Sequence, residues 1–248
     1  MIKTTGLFGS HVSKERRLRF EIFLSWGLMR TLIIGDVHGC KDELEDLVTQ
    51  FAFVRGKDRL FQTGDMINRG PDSLGAVKLG HQLGIRSVLG NHEARLLRIF
   101  SKPELGRTAK DQFYLDRLGA DAEELFHLVK EWPLWIDDPD FLLIHAGVQP
   151  GIKHLAEMSP KIVTTIRTWD GYGENLDNSV DPPWFDCVHW PKTVVFGHWA
   201  LGGLVIREGF RGLDTGCVYG KMLSAWCPEE NNIYQVNARR EYSRLDPQ

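Results

Sequence analysis

The chain has 248 residues, 42% hydrophobic and 25% charged, enough apolar material to bury a sizeable core and too much for an intrinsically disordered protein. A net charge of −3 supplies no general attraction to a nucleic-acid backbone, so no such polymer is expected as a partner. Cys40, Cys187, Cys217 and Cys227 are too sparse for a disulfide scaffold and lack a CxxC spacing, and they read as reduced thiols of a cytoplasmic protein.

In chain order, residues 1–28 carry basic residues ahead of a short apolar patch broken by Glu21, too interrupted for a membrane span and without a clear cleavage pattern. They read as an N-terminal extension, disordered or loosely attached, or as an upstream start-site artefact; a transit peptide is the weaker alternative. A single domain is expected over 29–248, opening on the strand in "MRTLIIGD". Strands near Leu32–Gly35, Arg59–Thr63 and Arg86–Leu89 alternate with helices near Lys41–Gln50 and Ser73–Leu83, a βαβαβ unit. The stretch from His92 to Trp132 reads as helical, and "FLLIHAG" returns to a buried strand. "GYGENLDNSVDPPWFD" is a long turn-rich loop or cap. The runs "TVVFGHWA", "GLVIREG", "GLDTG", "KMLSAW" and "NIYQV" then suggest a mostly antiparallel second sheet.

One pattern recurs where strands end: "GDVHG", "TGDMINRG", "LGNHE", "IHAG" and "FGHW" each place Asp, Asn or His where a buried strand opens into a loop. Singly, such residues are turn formers or structural histidines. Together they make a costly polar cluster unless something binds it, and the edge formed by strand ends is where open sheets bind ligands. Asp36, His38, Asp65, Asn91, His145 and His198 exceed the needs of one ion and suit two divalent ions about 3.5–4 Å apart. Asp36 and His38, two apart in an extended segment, would face one ion; Asp65 would bridge; Asn91, His145 and His198 would hold the second. Two dications against two carboxylates leave about +2, a site for hydroxide and phosphate. Oxygen and imidazole donors without thiolate fit manganese, taken first, or iron, cobalt or zinc.

These blocks resemble the signature of calcineurin-like metallophosphoesterases of the phosphoprotein-phosphatase branch. The longer stretches "GDMINRGPDSL", "LGNHEARLL", "VVFGHWALGG" and "GLDTGCVYG" are more similar to the symmetrical diadenosine tetraphosphatases, and the resemblance runs from Met29 to about Val236. It implies an α/β (α+β) four-layer αββα sandwich of two mixed sheets flanked by helices. It also implies in-line attack on phosphorus by a metal-bound hydroxide without a covalent phosphoenzyme. By the same likeness His92 would protonate the departing oxygen and Arg69 would clamp phosphate oxygens.

Asn68 departs from the protein phosphatases, which usually carry Asp there. A neutral amide orients His92 but supports its positive charge less, which suits a leaving group that needs little protonation. A nucleoside diphosphate departs through a phosphate oxygen of pKa about 6, far less basic than a serine alkoxide. Arg167 is a candidate second clamp, with a surface arginine as its bland reading. Trp169, Trp184 and Trp199 are candidates for stacking on a base, Trp184 in "DPPWF" foremost, although core packing is the default for tryptophan. The expectation is therefore a cytoplasmic enzyme with two divalent ions that splits diadenosine tetraphosphate into two ADP. A serine/threonine protein phosphatase on the same scaffold is the alternative, and a noncatalytic nucleotide-binding protein the remote one.

Overall fold

The computed structural model describes residues 29–244, so the extension expected at 1–28 lies outside the described residues. In chain order the strands are β1 (Thr31–Ile34), β2 (Arg59–Gln62), β3 (Arg86–Ser87), β4 (Trp135–Asp137), β5 (Phe141–Ile144), β6 (Thr193–Phe196), β7 (Val205–Arg207), β8 (Phe210–Gly212), β9 (Met222–Cys227) and β10 (Asn232–Asn237). The helices are α1 (Lys41–Gln50), α2 (Ser73–Leu83), α3 (Asn91–Phe100), α4 (Ala109–Leu118), α5 (Ala122–Val129) and α6 (Pro160–Thr165). Both helices of the expected βαβαβ unit fall where the periodicity places them. Helix α2 starts on Asp72, whose carboxylate accepts from the Gly75 N–H, and stops at Gly84, which takes the left-handed conformation (φ 76°) that glycine adopts without penalty.

The strands form two five-stranded sheets, ordered β10-β9-β1-β2-β3 and β4-β5-β6-β8-β7. Side chains alternate across each strand, and the core divides accordingly. Leu32, Ile34 and Leu60 face outward with Leu44, Leu47, Leu96, Ile99 and Leu125 of the helices. Ile33 and Phe61 face the second sheet and meet Phe141, Leu143, Val195 and Trp226. Leu142, Ile144, Val194 and Phe196 cover the far side with Ile162 and Val163 of α6. Helix, sheet, sheet and helix layers result, as the resemblance implies.

The late strands differ from the expectation of a mostly antiparallel second sheet. β9 and β10 return to the first sheet, where Ile33 pairs with Trp226, and the second sheet keeps a parallel centre of β5, β6 and β8 between antiparallel edges β4 and β7. An alternating apolar run has the same appearance in either sheet, so the pairing is settled by long-range contact. "GLDTG" forms no strand of its own; β8 ends at Gly212 and the following residues turn.

Parallelism positions the site. β1, β2 and β3 run parallel in one sheet, and β5, β6 and β8 in the other. The carboxyl end of each strand opens into one of the polar motifs.

Candidate metal centre

The loops after these strands are tied to one another by backbone hydrogen bonds. The N–H groups of His38 and Gly39 donate to the carbonyls of Asp65 (2.8 Å) and Met66 (2.7 Å), and the Gly197 N–H donates to the His145 carbonyl (2.7 Å). The fit requires glycine at two points: a Cβ on Gly197 would stand 1.8 Å from Asp36 Oδ1, and one on Gly90 would stand 2.2 Å from Asp65 Oδ1. His38, Asp65, Asn68, Arg69 and His198 all hold positive φ, between 48° and 70°. Backbone strain of this kind persists only where surrounding contacts over-determine it, and here it gathers at the cluster. His38 thus leaves the extended geometry expected of the Asp36–His38 pair.

Hydrogen bonds assign the imidazole tautomers. His38 Nδ1–H donates to the Ile67 carbonyl (3.1 Å), and His145 Nδ1–H donates to the Thr63 carbonyl (2.8 Å). His198 Nε2–H donates to the Thr165 carbonyl (3.2 Å). Each ring then turns a lone pair toward other acceptors. His145 Nε2 lies 3.1 Å and His198 Nδ1 2.9 Å from Asn91 Oδ1. Asp65 Oδ2 stands 3.6 Å from His38 Nε2 and 3.5 Å from His145 Nε2. Acceptors facing acceptors repel unless a cation lies among them, so this donor set fits divalent ions, with the outer ring nitrogens anchored on carbonyls.

Two groups of ligand-competent atoms result, each mutually within 4.8 Å: His38, Asp65 and His92, and Asp65, His145 and His198. Asp65 belongs to both. Asp36 borders them, with Oδ1 accepting from Thr63 Oγ1 (2.9 Å) and Oδ2 from the His198 N–H (2.9 Å). Burial, helped by the charge of Arg69, pushes His38 down to about 3, and burial takes His145 to about 4, so both rings stay neutral and free to bind a metal. Burial also pushes Asp65 up to about 7, while burial and the carboxylates of Asp214 and Asp65 push Asp36 well up. Nearby cations would hold these acids ionised.

Residues 29–207 match the family described as calcineurin-like phosphoesterase. The chain belongs to that family. Its members are metal-dependent hydrolases, and so is this protein. The chain is 32% identical to the symmetrical bis(5'-nucleosyl)-tetraphosphatase of Erwinia tasmaniensis, over 86% of this chain and 99% of the relative. It is 30% identical to the protein of the same name from Aromatoleum aromaticum, over 86% and 98%. A crystallised candidate diadenosine tetraphosphatase superposes with a TM-score of 0.73 at 35% identity, covering 85% of this chain and 94% of its own.

In this calcineurin-like phosphoesterase Asn68 Nδ2 donates to His92 Nδ1 (2.9 Å), leaving the ring proton on Nε2, and Asn68 Oδ1 is occupied by the Arg69 N–H (2.7 Å). Arg69 and Arg167 both reach the cavity above the cluster, which has a volume of about 220 Å³. Arg69 hydrogen-bonds the Tyr219 hydroxyl and Arg167 pairs with Asp177.

Trp184 does not line this cavity and is corrected to a core residue. It is fully buried, edge-on to Phe196 (5.1 Å between centroids) and Phe210 (5.6 Å). Pro182 and Pro183 turn the polar loop so that Trp184 drops into a slot left by Gly147, where a Cβ would stand 2.3 Å from the indole. Trp169 and Trp199 are half-buried against the same cluster. Trp184→Phe is expected to cost about 1–2 kcal/mol of stability through the void it leaves. A thermal melt should show the loss, with KM for a nucleotide substrate retained; a selective rise in KM would restore the stacking role.

Two residues escaped the sequence reading although their motifs were in view. Glu93, fully buried, accepts from the N–H groups of Asp65 (2.9 Å), Ile67 (3.1 Å) and Gly90 (3.0 Å), pinning two site loops to the start of α3. Asp214, in the turn after β8, is buried, lines the cavity, and accepts from the Gly216 N–H (3.0 Å). "GLDTG" shows the same strand-end carboxylate as the other motifs, which was the available signal.

Proposed function

We propose that this phosphoesterase hydrolyses dinucleoside polyphosphates, splitting diadenosine tetraphosphate symmetrically into two ADP. Asp36 and His38 would hold one ion, Asn91, His145 and His198 the other, and Asp65 both; manganese is the expected metal and the cytoplasm the expected compartment. Among the described residues no helix is long and apolar enough to cross a membrane. When bound, the ions supply a water of lowered pKa and neutralise charge on the transferring phosphoryl group. Arg69 and Arg167 orient that group, and His92 Nε2–H faces the departing oxygen.

The observation that carries the substrate choice is the Asn68–His92 pair. A protonated His92 would need an acceptor at Nδ1, where it meets an amide N–H instead, and burial already holds this ring well below the usual histidine range. General-acid help is therefore weak, and a phosphoanhydride needs little of it. The names carried by the relatives at 30–32% identity support the same reading.

Purified protein with manganese and diadenosine tetraphosphate should yield ADP alone; ATP plus AMP, or faster kcat/KM on a phosphoserine peptide, would reject the proposal. Asn68→Asp should stabilise the charged His92, move the basic limb of the pH–rate profile upward, and improve turnover of alkyl phosphomonoesters about tenfold relative to the dinucleotide. An unchanged ratio and profile would remove Asn68 from the substrate argument.

A further inference from the structure

The cavity over the ligand cluster is lined by four arginines, Arg69, Arg117, Arg167 and Arg244, and by two carboxylates, Asp65 and Asp214, that face the proposed ions. Arg69 and Arg167 have partners of their own, the Tyr219 hydroxyl and Asp177. Arg117, in the last turn of α4, and Arg244, seven residues past the end of β10, line the same cavity. Among the described residues neither has an ion pair or a hydrogen bond to a carboxylate. Two such guanidiniums in one concavity repel each other and the arginines beside them, and an anion with several charges relieves that repulsion through paired donors.

We propose that Arg117 and Arg244 form a second anion subsite, which takes the phosphates of a polyphosphate chain beyond the one under attack. The inference rests on the dinucleoside-polyphosphate reading and deepens it. Symmetrical cleavage requires the middle bridge of the chain, rather than an outer one, to sit over Asp65 and Asn91. Cations on the cavity wall beside that point would bias the register. A phosphomonoester has nothing to place there, so the subsite favours chains over monoesters by binding energy that only the chain can realise. Ser243, beside Arg244 on the cavity wall, adds a hydroxyl to the same lobe.

The test compares two competitive inhibitors of p-nitrophenyl phosphate hydrolysis at fixed free manganese, orthophosphate and tripolyphosphate. The wild type should favour tripolyphosphate, and the ratio of the two inhibition constants should fall about tenfold in Arg117→Ala and again in Arg244→Ala, a tenfold change being about 1.4 kcal/mol. Both side chains are exposed, so the variants should fold, and Arg117→Lys should recover part of the ratio by keeping the charge. An unchanged ratio, or inhibition constants that rise together, would overturn the subsite. Failure of the wild type to cleave diadenosine tetraphosphate would retire the dinucleotide reading separately, since the inhibitor ratio does not depend on it.

Discussion

Asp65→Ala is expected to lower kcat/KM by about a thousandfold or more on every substrate, because its Oδ2 faces the lone pairs of both His38 and His145. The loss has two parts that a second variant separates. Asp65 holds φ 56°, a conformation that asparagine tolerates and alanine does not. Its Oδ1 also accepts from the His92 N–H at 2.9 Å. Asp65→Asn preserves the turn and can preserve that bond while removing the charge. It should melt close to wild type yet bind the ions weakly, whereas Asp65→Ala should lose stability as well. Elemental analysis of bound manganese, read beside the melt and the turnover rate, checks both. An alanine variant that retains two ions per chain and wild-type turnover would refute the bridging role.

Glu93→Ala should produce the largest loss of stability, although Glu93 does not line the cavity. Its two oxygens satisfy three backbone N–H groups, on Asp65, Ile67 and Gly90. Truncation leaves these donors buried and unpaired at about 1–3 kcal/mol each, so the total is roughly 3 kcal/mol or more. For a chain of this size that is a fall in melting temperature of about 6–12 °C. Activity should fall with it, because Asp65 and Asn91 flank the bonds that are lost. Glu93→Gln should be milder, since the amide oxygen still accepts while the amide nitrogen confronts a backbone donor. A melt of Glu93→Ala within a degree or two of wild type would show that these loops are held by other means.

Legibility followed distance along the chain. The helices Lys41–Gln50 and Ser73–Leu83 and the strands at Thr31, Arg59, Phe141 and Thr193 were readable because their apolar periods and turn residues are local. The short edge strand Trp135–Asp137 was not, since three residues carry too little period to register. Trp184 was misread for a related reason. Its neighbours Asp181, Pro182 and Pro183 describe a surface loop faithfully, but the slot that receives the indole is made by Gly147, far away in sequence.

The six ligand candidates could be picked out from residue type and position alone, because an Asp, Asn or His at the end of a buried strand is costly in any fold that leaves it unpaired. What no linear pattern contained was the meeting of the two sheets: the return of Met222–Cys227 beside Thr31–Ile34, and the lone pairs of His145 and His198 turned on Asn91. Those facts arise from contacts between segments 54 or more residues apart, whose free energy depends on three-dimensional packing and leaves no periodic trace in either segment.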